Sequence, residues 1–313
     1  MTRCLITGGA GFIGSNFTDF LLEKKFEVTV VDSLATGRLE NIRHLKKKIK
    51  FIKGDIRDLD LLMKASKNAD FIFHLAALPS VNRSVRDPIE SNSVNIAGTL
   101  NVFQAAARNK VKRVVFASSS SVYGDAKTLP KVETMIPNPL SPYALTKLVG
   151  EEYARLHGAL YSLDVVCLRY FNVFGPRQDP KSEYAAVIPR FITSVLKREE
   201  LTIYGDGRQT RDFTYIDNVV RANYLAAVSK KAGGKVFNVA AGKRISLLDL
   251  VRLLGDISGT KVAYRLAESR QGDVKHSLAG IKKAAKFMNY KPAVDFKKGI
   301  AKTYKWFSDC YER

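Results

Sequence analysis

The chain has 313 residues, of which 46% are hydrophobic, and a formal net charge of +21. No apolar run approaches the ~20 residues that cross a bilayer, so we expect no integral membrane association. The first residues lead straight into a strand pattern, which predicts that there is no signal peptide. The cysteines lack metal-like spacing, which predicts a cytoplasmic protein without a metal site. A positive charge of this size suits nucleic acid, a membrane surface or an anionic substrate, but its densest run, 43–50, carries no interleaved aromatic residues, so we expect a field that attracts anions and no nucleic-acid partner.

Short apolar runs alternate with helical patterns over the first 170 residues. Continuous apolar strands separated by helices are typical of a parallel sheet covered on both faces. We therefore predict an α/β fold built on a doubly wound, parallel Rossmann sheet. The predicted strands are 5–6, 28–31, 51–52, 71–75, 114–117 and 163–168, and the main helices are 12–24, 87–109 and 142–157.

A glycine-rich turn follows the first predicted strand and opens the first helix. The spacing Gly8-x-x-Gly11-x-x-Gly14 allows a tight turn and the close approach of a pyrophosphate to the helix N-terminus. Asp32 closes the second strand, where a carboxylate can bond both ribose hydroxyls and repels a 2′-phosphate. This pattern predicts NAD rather than NADP as cofactor, and the nearby Arg38 weakens that preference.

Tyr143 and Lys147 stand four residues apart, on one face of the predicted helix that begins at Pro142. A lysine cation and an oxidised nicotinamide would together lower the phenol pKa from its usual value of about 10, so that the tyrosine can act as general base and then as general acid. The pair alone is a weak signal. Four serines at the end of the fifth strand, 118–121, strengthen it, because a hydroxyl there can share the transferred proton.

The pattern changes after residue 175. A turn-rich segment, 175–180, precedes a predicted helix over 185–196, and short strands then mix with helices and loops. We expect residues 1–175 to form the NAD-binding domain, with later segments returning to it. Residues 176–313 should form mainly a smaller mixed α/β substrate lobe over the carboxyl edge of the sheet, where ligands bind in such folds.

These motifs together resemble those of the extended short-chain dehydrogenases/reductases, specifically the UDP-sugar 4-epimerases, and most closely the UDP-N-acetylglucosamine 4-epimerases. The matching stretches are 7–15, 54–58, 74–77, 95–99, 118–124, 142–147, 168–176, 205–213 and 270–273. The resemblance implies an NAD-dependent C4 epimerase that interconverts UDP-N-acetylglucosamine and UDP-N-acetylgalactosamine, and also UDP-glucose and UDP-galactose, through a transient 4-keto sugar. It also implies a homodimer, formed through the helices at 87–109 and 142–157.

The resemblance assigns roles to residues at matching positions. Ser119, Tyr143 and Lys147 would form the catalytic triad, while Arg211 and Arg270 would clamp the diphosphate with their guanidinium forks. The residues implied to contact NAD are Gly8, Gly11, Phe12, Ile13, Gly14, Asp32, Asp55, Ile56, Leu75, Ala76, Ala77, Asn95, Tyr143, Lys147 and Tyr170, of which Asp55 and Ile56 would hold the adenine. Those implied to contact the UDP-sugar are Ser80, Ser119, Tyr143, Asn172, Arg211, Arg270, Asp273 and Ser277.

Two positions separate the subfamilies that resemble this chain. Residues 118–124 form a serine-rich segment that ends in Val-Tyr-Gly. Nucleotide-sugar dehydratases carry an acidic residue just before this Val-Tyr-Gly, where this chain has Ser121, so dehydration is disfavoured. Ser277 stands where similar epimerases place a residue facing the 2-substituent of the sugar, and its small size would admit an N-acetyl group. A related UDP-sugar epimerase, for example of UDP-glucuronate, and an NAD-dependent dehydrogenase with net hydride transfer stay open as alternatives.

Overall fold

Parallel strands form the centre of the protein, of which the computed structural model describes residues 1–180, 186–268 and 275–311. The strands in chain order are β1 (Arg3–Thr7), β2 (Glu27–Asp32), β3 (Lys50–Lys53), β4 (Phe71–His74), β5 (Arg113–Ser119), β6 (Val165–Tyr170), β7 (Val173–Phe174), β8 (Leu201–Tyr204), β9 (Thr210–Arg211), β10 (Thr214–Tyr215), β11 (Val236–Val239), β12 (Ile245–Ser246) and β13 (Tyr264–Ala267). Seven of them form one all-parallel sheet in the order β11-β6-β5-β4-β1-β2-β3. The predicted Rossmann sheet is therefore confirmed, with β11 as a strand that the sequence did not reveal.

Helices cover both faces of this sheet. The α-helices of the described residues, in chain order, are α1 (Phe12–Glu23), α2 (Leu59–Ala65), α3 (Val81–Arg86), α4 (Pro88–Asn92), α5 (Gly98–Arg108), α6 (Pro142–Tyr161), α7 (Val187–Leu196), α8 (Ile216–Val228), α9 (Leu247–Ser258), α10 (Lys282–Met288) and α11 (Phe296–Tyr311). Successive residues of β1 enter different cores: Cys4 and Ile6 pack in one cluster, and Leu5 packs in another. Because neighbouring side chains of a strand point to opposite faces, each face of the sheet has its own core. Within the described residues, no helix is long and apolar enough to cross a membrane.

Two predicted helices differ in detail from the observed ones. The helix predicted over 87–109 is α4 and α5 joined by a π-helical turn, Ser93–Ala97. Helix α6 is one turn longer than predicted and ends where Ser162 takes a left-handed conformation with φ of 54°. At its start, the hydroxyl of Ser141 accepts a hydrogen bond from the N–H of Ala144 at 3.2 Å, which fixes the first turn.

The chain after residue 175 contributes to two parts of the fold. It returns β11 to the edge of the central sheet, and α8 packs beside α1 and β5 on one face. The other strands form two-stranded pairs, β10 with β7, β12 with β9 and β13 with β8. The division into domains at residue 175 stays a prediction.

Candidate active site

Two clefts adjoin each other, and the larger of the two lies at the carboxyl ends of the central strands. Cleft A, of about 750 Å³, is lined by the turn after β1 and by the ends of β2, β4, β5 and β6. Cleft B, of about 260 Å³, is lined by residues of β7, β8 and α7. Val173 and Ala186 line both clefts, so that the two share a wall. An open parallel sheet binds its ligands at this edge.

The glycine turn forms one wall of cleft A. Gly8 has φ of +75°, and a Cβ there would lie 2.7 Å from the backbone nitrogen of Ala76. A Cβ on Gly14 would lie 2.1 Å from the carbonyl oxygen of Gly8. Gly11 is the N-cap of α1, whose first N–H groups have no partner inside the helix. The turn therefore requires glycine at positions 8 and 14 and leaves the positive end of α1 free for a pyrophosphate.

Asp32 lies at the end of β2, on the wall of cleft A. Its carboxylate accepts the N–H groups of Ala10 at 2.9 Å and Leu34 at 2.8 Å. Burial raises the pKa of Asp32, and these two bonds act in the opposite direction. A fixed carboxylate beside the glycine turn fits the ribose hydroxyls of NAD, so the residues present suit this dinucleotide.

Asp55 and Ile56, the predicted adenine contacts, line cleft A together with Arg57. The guanidinium of Arg57 donates to both oxygens of Asp55, at 3.1 and 2.7 Å, and it also bonds Glu90. These side-chain bonds hold the pKa of Asp55 below its usual range. The adenine end of cleft A is therefore an ordered ion-pair network, of which the sequence had revealed only the carboxylate.

The three predicted catalytic residues lie together at the end of β5 and the start of α6. The ammonium of Lys147 donates to the carbonyl oxygen of Ala117 at 2.8 Å and lies 5.9 Å from the ring centre of Tyr143. The side chain of Ser119 is hydrogen-bonded to that of Tyr143. It also accepts bonds from the N–H and the hydroxyl of Ser121, at 3.1 and 2.9 Å. Tyr143 and Lys147 line cleft A.

Burial governs the electrostatics of this group. Burial raises the pKa of Tyr143, and the hydrogen bond to Ser119 acts in the opposite direction. Burial lowers the pKa of Lys147 to about 8. The predicted lowering of the phenol pKa is therefore not a property of the protein alone, because desolvation outweighs the hydrogen bond. Lys147 stays largely protonated at neutral pH and presents a cation beside the phenol.

A buried chain of hydrogen bonds, missed by the sequence analysis, lies behind these residues. His74 bonds Thr7 at 2.8 Å with one ring nitrogen and Thr99 at 2.9 Å with the other. Burial, aided by the charge of Lys147, lowers the pKa of His74 to about 3, so the ring is neutral. A histidine closing β4 was the available signal, but its partners come from distant segments.

Asn95 lies behind the wall of cleft A. Its amide bonds both backbone groups of Leu78, at 2.8 and 3.2 Å, and donates to the hydroxyl of Thr146 at 3.2 Å. Leu78 lines cleft A, and Thr146 lies on α6. Asn95 therefore ties the loop after β4 to the helix of Tyr143. Of the remaining predicted NAD contacts, Phe12, Ile13, Leu75, Ala76, Ala77 and Tyr170 line cleft A directly.

The predicted substrate contacts divide between the clefts. Ser80 lines cleft A and caps α3, while Asn172 and Arg211 line cleft B. Ser277 is 8% exposed and lines neither cleft; its N–H donates to the carbonyl of Thr210, next to Arg211. Arg270 and Asp273 lie outside the described residues.

Two further polar residues, one in cleft A and one near cleft B, lie in stretches that the sequence analysis noted without giving these residues a role. Gln178 lines cleft A, and its side-chain oxygen is buried without a hydrogen-bond partner within the described part of the chain. Asp212 follows Arg211, and its buried carboxylate accepts backbone N–H groups from Ala241, Gly242 and Ala279, so it holds two segments near cleft B together. Burial raises the pKa of Asp212 to about 6 against these bonds.

Comparison with known proteins gives concordant matches. The model of the NAD dependent epimerase/dehydratase family matches residues 4–240. The UDP-glucose 4-epimerase of Mycolicibacterium smegmatis is 39% identical, over 97% of this chain and 98% of its own length. The UDP-N-acetylglucosamine 4-epimerase from Methanobrevibacter ruminantium M1, solved with UDP-N-acetylmuramic acid, is 42% identical over 99% of both chains, with a TM-score of 0.95. The UDP-glucuronic acid 4-epimerase from Bacillus cereus, solved with UDP-glucuronic acid and NAD, is 36% identical over 99% of this chain and 100% of its own, with a TM-score of 0.92.

Proposed function

The chain belongs to the NAD-dependent epimerase/dehydratase family and is a UDP-sugar 4-epimerase, and we propose that it interconverts UDP-N-acetylglucosamine and UDP-N-acetylgalactosamine, together with UDP-glucose and UDP-galactose. The observation that carries the proposal is the hydrogen-bonded group of Ser119 and Tyr143, with Lys147 beside it, at the wall of cleft A. Ser121 places a hydroxyl at the position where the related dehydratases carry an acidic side chain. The group can therefore move one proton but has no acid placed to eliminate water from the sugar.

The two clefts divide the ligands between them in this proposal. Cleft A would hold NAD on the glycine turn and Asp32, while cleft B would hold the UDP moiety, with Arg211 on the diphosphate. The sugar would then lie near Val173, which lines both clefts, and so beside the part of cleft A that would hold the nicotinamide. Bound NAD would supply a reversible hydride acceptor for C4 of the sugar, as the proposed epimerisation through a 4-keto sugar requires.

Tyr143 would be the general base and then the general acid. Its phenolic oxygen would take the proton from the sugar 4-hydroxyl and later return it, while Ser119 bonds both oxygens and shares that proton. The Lys147 ammonium, held by the carbonyl of Ala117, would stabilise the phenolate that forms. Burial makes this positive charge more effective than it would be in water, because fewer solvent dipoles screen it.

The 4-keto sugar must rotate to present its other face while the nucleotide stays in place. Arg211 is positioned for that clamp, since its guanidinium lines cleft B and donates to the carbonyls of Thr210 and Lys275. By bonding both carbonyls, the guanidinium of Arg211 ties strand β9, at cleft B, to the segment that carries Ser277. A firm diphosphate contact beside a roomy sugar site allows rotation about the bond to the diphosphate without release.

The preference for N-acetylated sugars rests on Ser277. The residue is small and buried, and its backbone is bonded to Thr210 beside the proposed diphosphate clamp. Ser277 does not itself line cleft B, but it lies beside Thr210, next to Arg211, and a small side chain there would leave volume for a substituent on C2 of the sugar. The UDP-N-acetylglucosamine 4-epimerase of Methanobrevibacter ruminantium M1 supports the same assignment by its similarity over the whole chain.

The exposed apolar residues of α3, α4 and α6 support a homodimer. Ile89 is 82% exposed and Leu160 is 69% exposed, and both lie on helices that pack against each other in one protomer. Large apolar side chains clustered on a surface mark a protein interface. The other members of this apolar surface are Val81, Val85, Leu145, Leu156 and Tyr161.

The decisive experiment is an epimerisation assay on the purified protein with no NAD added. We expect UDP-N-acetylglucosamine and UDP-glucose each to approach equilibrium with their C4 epimers, without net absorbance growth at the wavelength of NADH. Steady NADH accumulation would favour a dehydrogenase, and conversion of UDP-glucuronate alone would favour the sister epimerase. Tyr143→Phe should lower kcat by about a thousandfold or more while the protein keeps its NAD, and an active Tyr143→Phe variant would exclude this mechanism.

A further inference from the structure

Three successive residues at the end of β5 are each bonded to helix α6. The carbonyl of Ala117 accepts from Lys147, the hydroxyl of Ser118 donates to Glu151, and the side chain of Ser119 bonds Tyr143. The three helix residues are spaced by four and so lie on one face of α6. Two of these bonds involve the proposed catalytic residues, and the third involves a carboxylate that the proposed mechanism does not use.

Glu151 is held in a buried ion pair. Its carboxylate accepts two bonds from the guanidinium of Arg169, at 2.9 and 2.6 Å, in a bidentate arrangement. Glu151 is 6% exposed, and Arg169 and Ser118 are each 3% exposed. Arg169 stands opposite Ser118 in the pairing of β6 with β5, so both residues reach the same carboxylate from neighbouring strands. Neither Glu151 nor Arg169 lines cleft A or cleft B.

The same ion pair also supports the far end of the serine loop, residues 118–124. The guanidinium of Arg169 lies 4.7 Å from the ring centre of Tyr123, and the hydroxyl of Tyr123 donates to Asn238 on β11 at 2.7 Å. Glu151 therefore fixes Ser118 at one end of the loop, and Arg169 contacts Tyr123 near the other end. Glu151 and Arg169 are bonded to each other. The residues between Ser118 and Tyr123 include Ser119.

Stability alone is a weak reason for such a pair. Removing two charges from water costs free energy that their attraction only partly recovers, and an apolar replacement of similar volume is often as stable. A bidentate bond does, however, fix both distance and direction. We infer that Glu151 is a positioning residue for the proposed epimerase reaction: through Ser118 and Arg169 it holds the serine loop in register with α6, so that Ser119 stays bonded to Tyr143.

The inference rests on the proposed roles of Ser119 and Tyr143, and its test separates the two. The variants are Glu151→Gln, which removes the charge, and Ser118→Ala, which removes one bond and keeps the ion pair. Asp164→Asn is the matched control, because Asp164 pairs with Arg113 at the other end of β5, about 20 Å from Ser119. That pair is partly buried and lines neither cleft.

We expect Glu151→Gln to lower kcat by about 10- to 100-fold and Ser118→Ala by several-fold, with KM within about threefold of the wild type, because a displaced catalytic group mainly raises the barrier. Asp164→Asn should lower the melting temperature and leave kcat within about twofold. If kcat falls in proportion to the melting temperature, with the same ratio in all three variants, the role of Glu151 is merely structural and the inference is overturned. If Glu151→Gln does not fold, Ser118→Ala decides alone, and an unchanged kcat there overturns it.

A second measurement needs no substrate. The tyrosinate absorbance of the NAD-loaded protein, taken as a difference from Tyr143→Phe, reports the pKa of Tyr143. Because the bond to Ser119 lowers that pKa, loosening the loop should raise it in Glu151→Gln and Ser118→Ala but not in Asp164→Asn. A raised pKa in a protein that epimerises no UDP-sugar would retain the positioning role and reject the proposed function, and an unmoved pKa would reject the positioning role.

Discussion

The guanidinium of Arg38 and the carboxylate of Asp179 lie 2.5 Å apart, and both residues line cleft A. Arg38 follows β2, whereas Asp179 belongs to the turn-rich segment that follows β7. The same segment is bonded to α1, where Asn16 donates to the carbonyl of Pro176 at 3.1 Å. The loop after β7 is thus fastened to the N-terminal part of the chain beside the proposed ribose site. Arg38, which in the sequence weakened the preference for NAD over NADP, is engaged by a carboxylate.

We predict that Asp179→Asn releases bound NAD faster than the wild type. Half-exposed ion pairs contribute about 0.2–1 kcal/mol, which corresponds to an increase of up to about fivefold in the release rate. The difference between the two proteins should shrink at high salt, because ions screen exposed pairs. Release can be followed by the fluorescence of bound dinucleotide after reduction, or by the NAD content after timed gel filtration.

Asp217→Asn is the control for this measurement. Asp217 pairs with Lys302 at 3.4 Å, both side chains are exposed, and neither residue lines a cleft. Its loss should not change NAD release. Equal release rates in wild type and Asp179→Asn at low salt would show that the ion pair does not retain the cofactor.

Local patterns in the sequence predicted much of this site, and the missing parts are those that depend on distant contacts. The glycine turn, Asp32 and the Tyr143–Lys147 pair each follow from a spacing within one or two elements, and cleft A brings all of them together. Glu151 had a local signal, since it continues the spacing of four from Lys147. Its partner Arg169 lies eighteen residues away on another strand, and that pairing appears only when β5 and β6 are side by side.

The strand β11 and the pKa of Tyr143 were missed for a similar reason. Four residues with Asn238 among them make a poor strand signal, yet that asparagine is fully buried and bonded to Tyr123. Lys147 and an oxidised nicotinamide were together expected to lower the phenol pKa; in the protein alone burial raises it, and burial is a property of the folded chain.

Ser277→Tyr should separate the two proposed substrate pairs. A tyrosine at this buried position fills the volume that an N-acetyl group would need, so we predict a loss of about tenfold or more in kcat/KM for UDP-N-acetylglucosamine. UDP-glucose lacks the bulky substituent, and its kcat/KM should stay within about threefold. The backbone bond to Thr210 does not involve the side chain and should persist.

Ser277→Ala is the matched variant, because it keeps the space and removes only the hydroxyl. It should convert both substrates at rates close to those of the wild type. A parallel fall for both substrates in Ser277→Tyr would indicate general disruption around Thr210 and would remove the support for a specificity role.

The apolar surface of α3, α4 and α6 predicts the effect of a charge within it. Leu160→Glu places a carboxylate on the exposed apolar surface of α6, so the proposed dimer should weaken by about 30-fold or more if Leu160 is one of its main contacts. Sedimentation at several concentrations would measure the change. Leu266→Glu, at an exposed site on β13, is the control and should leave the oligomeric state unaltered. A wild-type protein that is monomeric at all concentrations would contradict the proposed dimer.

Lys147→Met is expected to abolish turnover and yet to stabilise the fold at neutral pH. Burial lowers the pKa of Lys147 from 10.5 to about 8, and a lowering of this size corresponds to a destabilisation of about 3 kcal/mol while the amine is charged. Methionine removes that cost but leaves the carbonyl of Ala117 without its bond, a loss of about 1 kcal/mol. The net gain of about 2 kcal/mol should raise the melting temperature by about 3 °C in a chain of this length.

The pH dependence gives this prediction its sign. The folded pKa of Lys147 lies below the unfolded one, so between pH 8 and pH 10.5 the unfolded chain binds more protons and this group makes the wild type more stable as pH rises. The advantage of Lys147→Met should therefore be full below pH 8, fall to zero at about pH 10, and become a deficit of about 1 kcal/mol above pH 10.5, where only the lost bond to Ala117 counts. Lys64→Met, at an exposed position of α2, should show no such trend in denaturant unfolding. A constant advantage across this range would mean that Lys147 is not charged in the folded protein at neutral pH, and the stabilisation of a phenolate at Tyr143 would then need another cation.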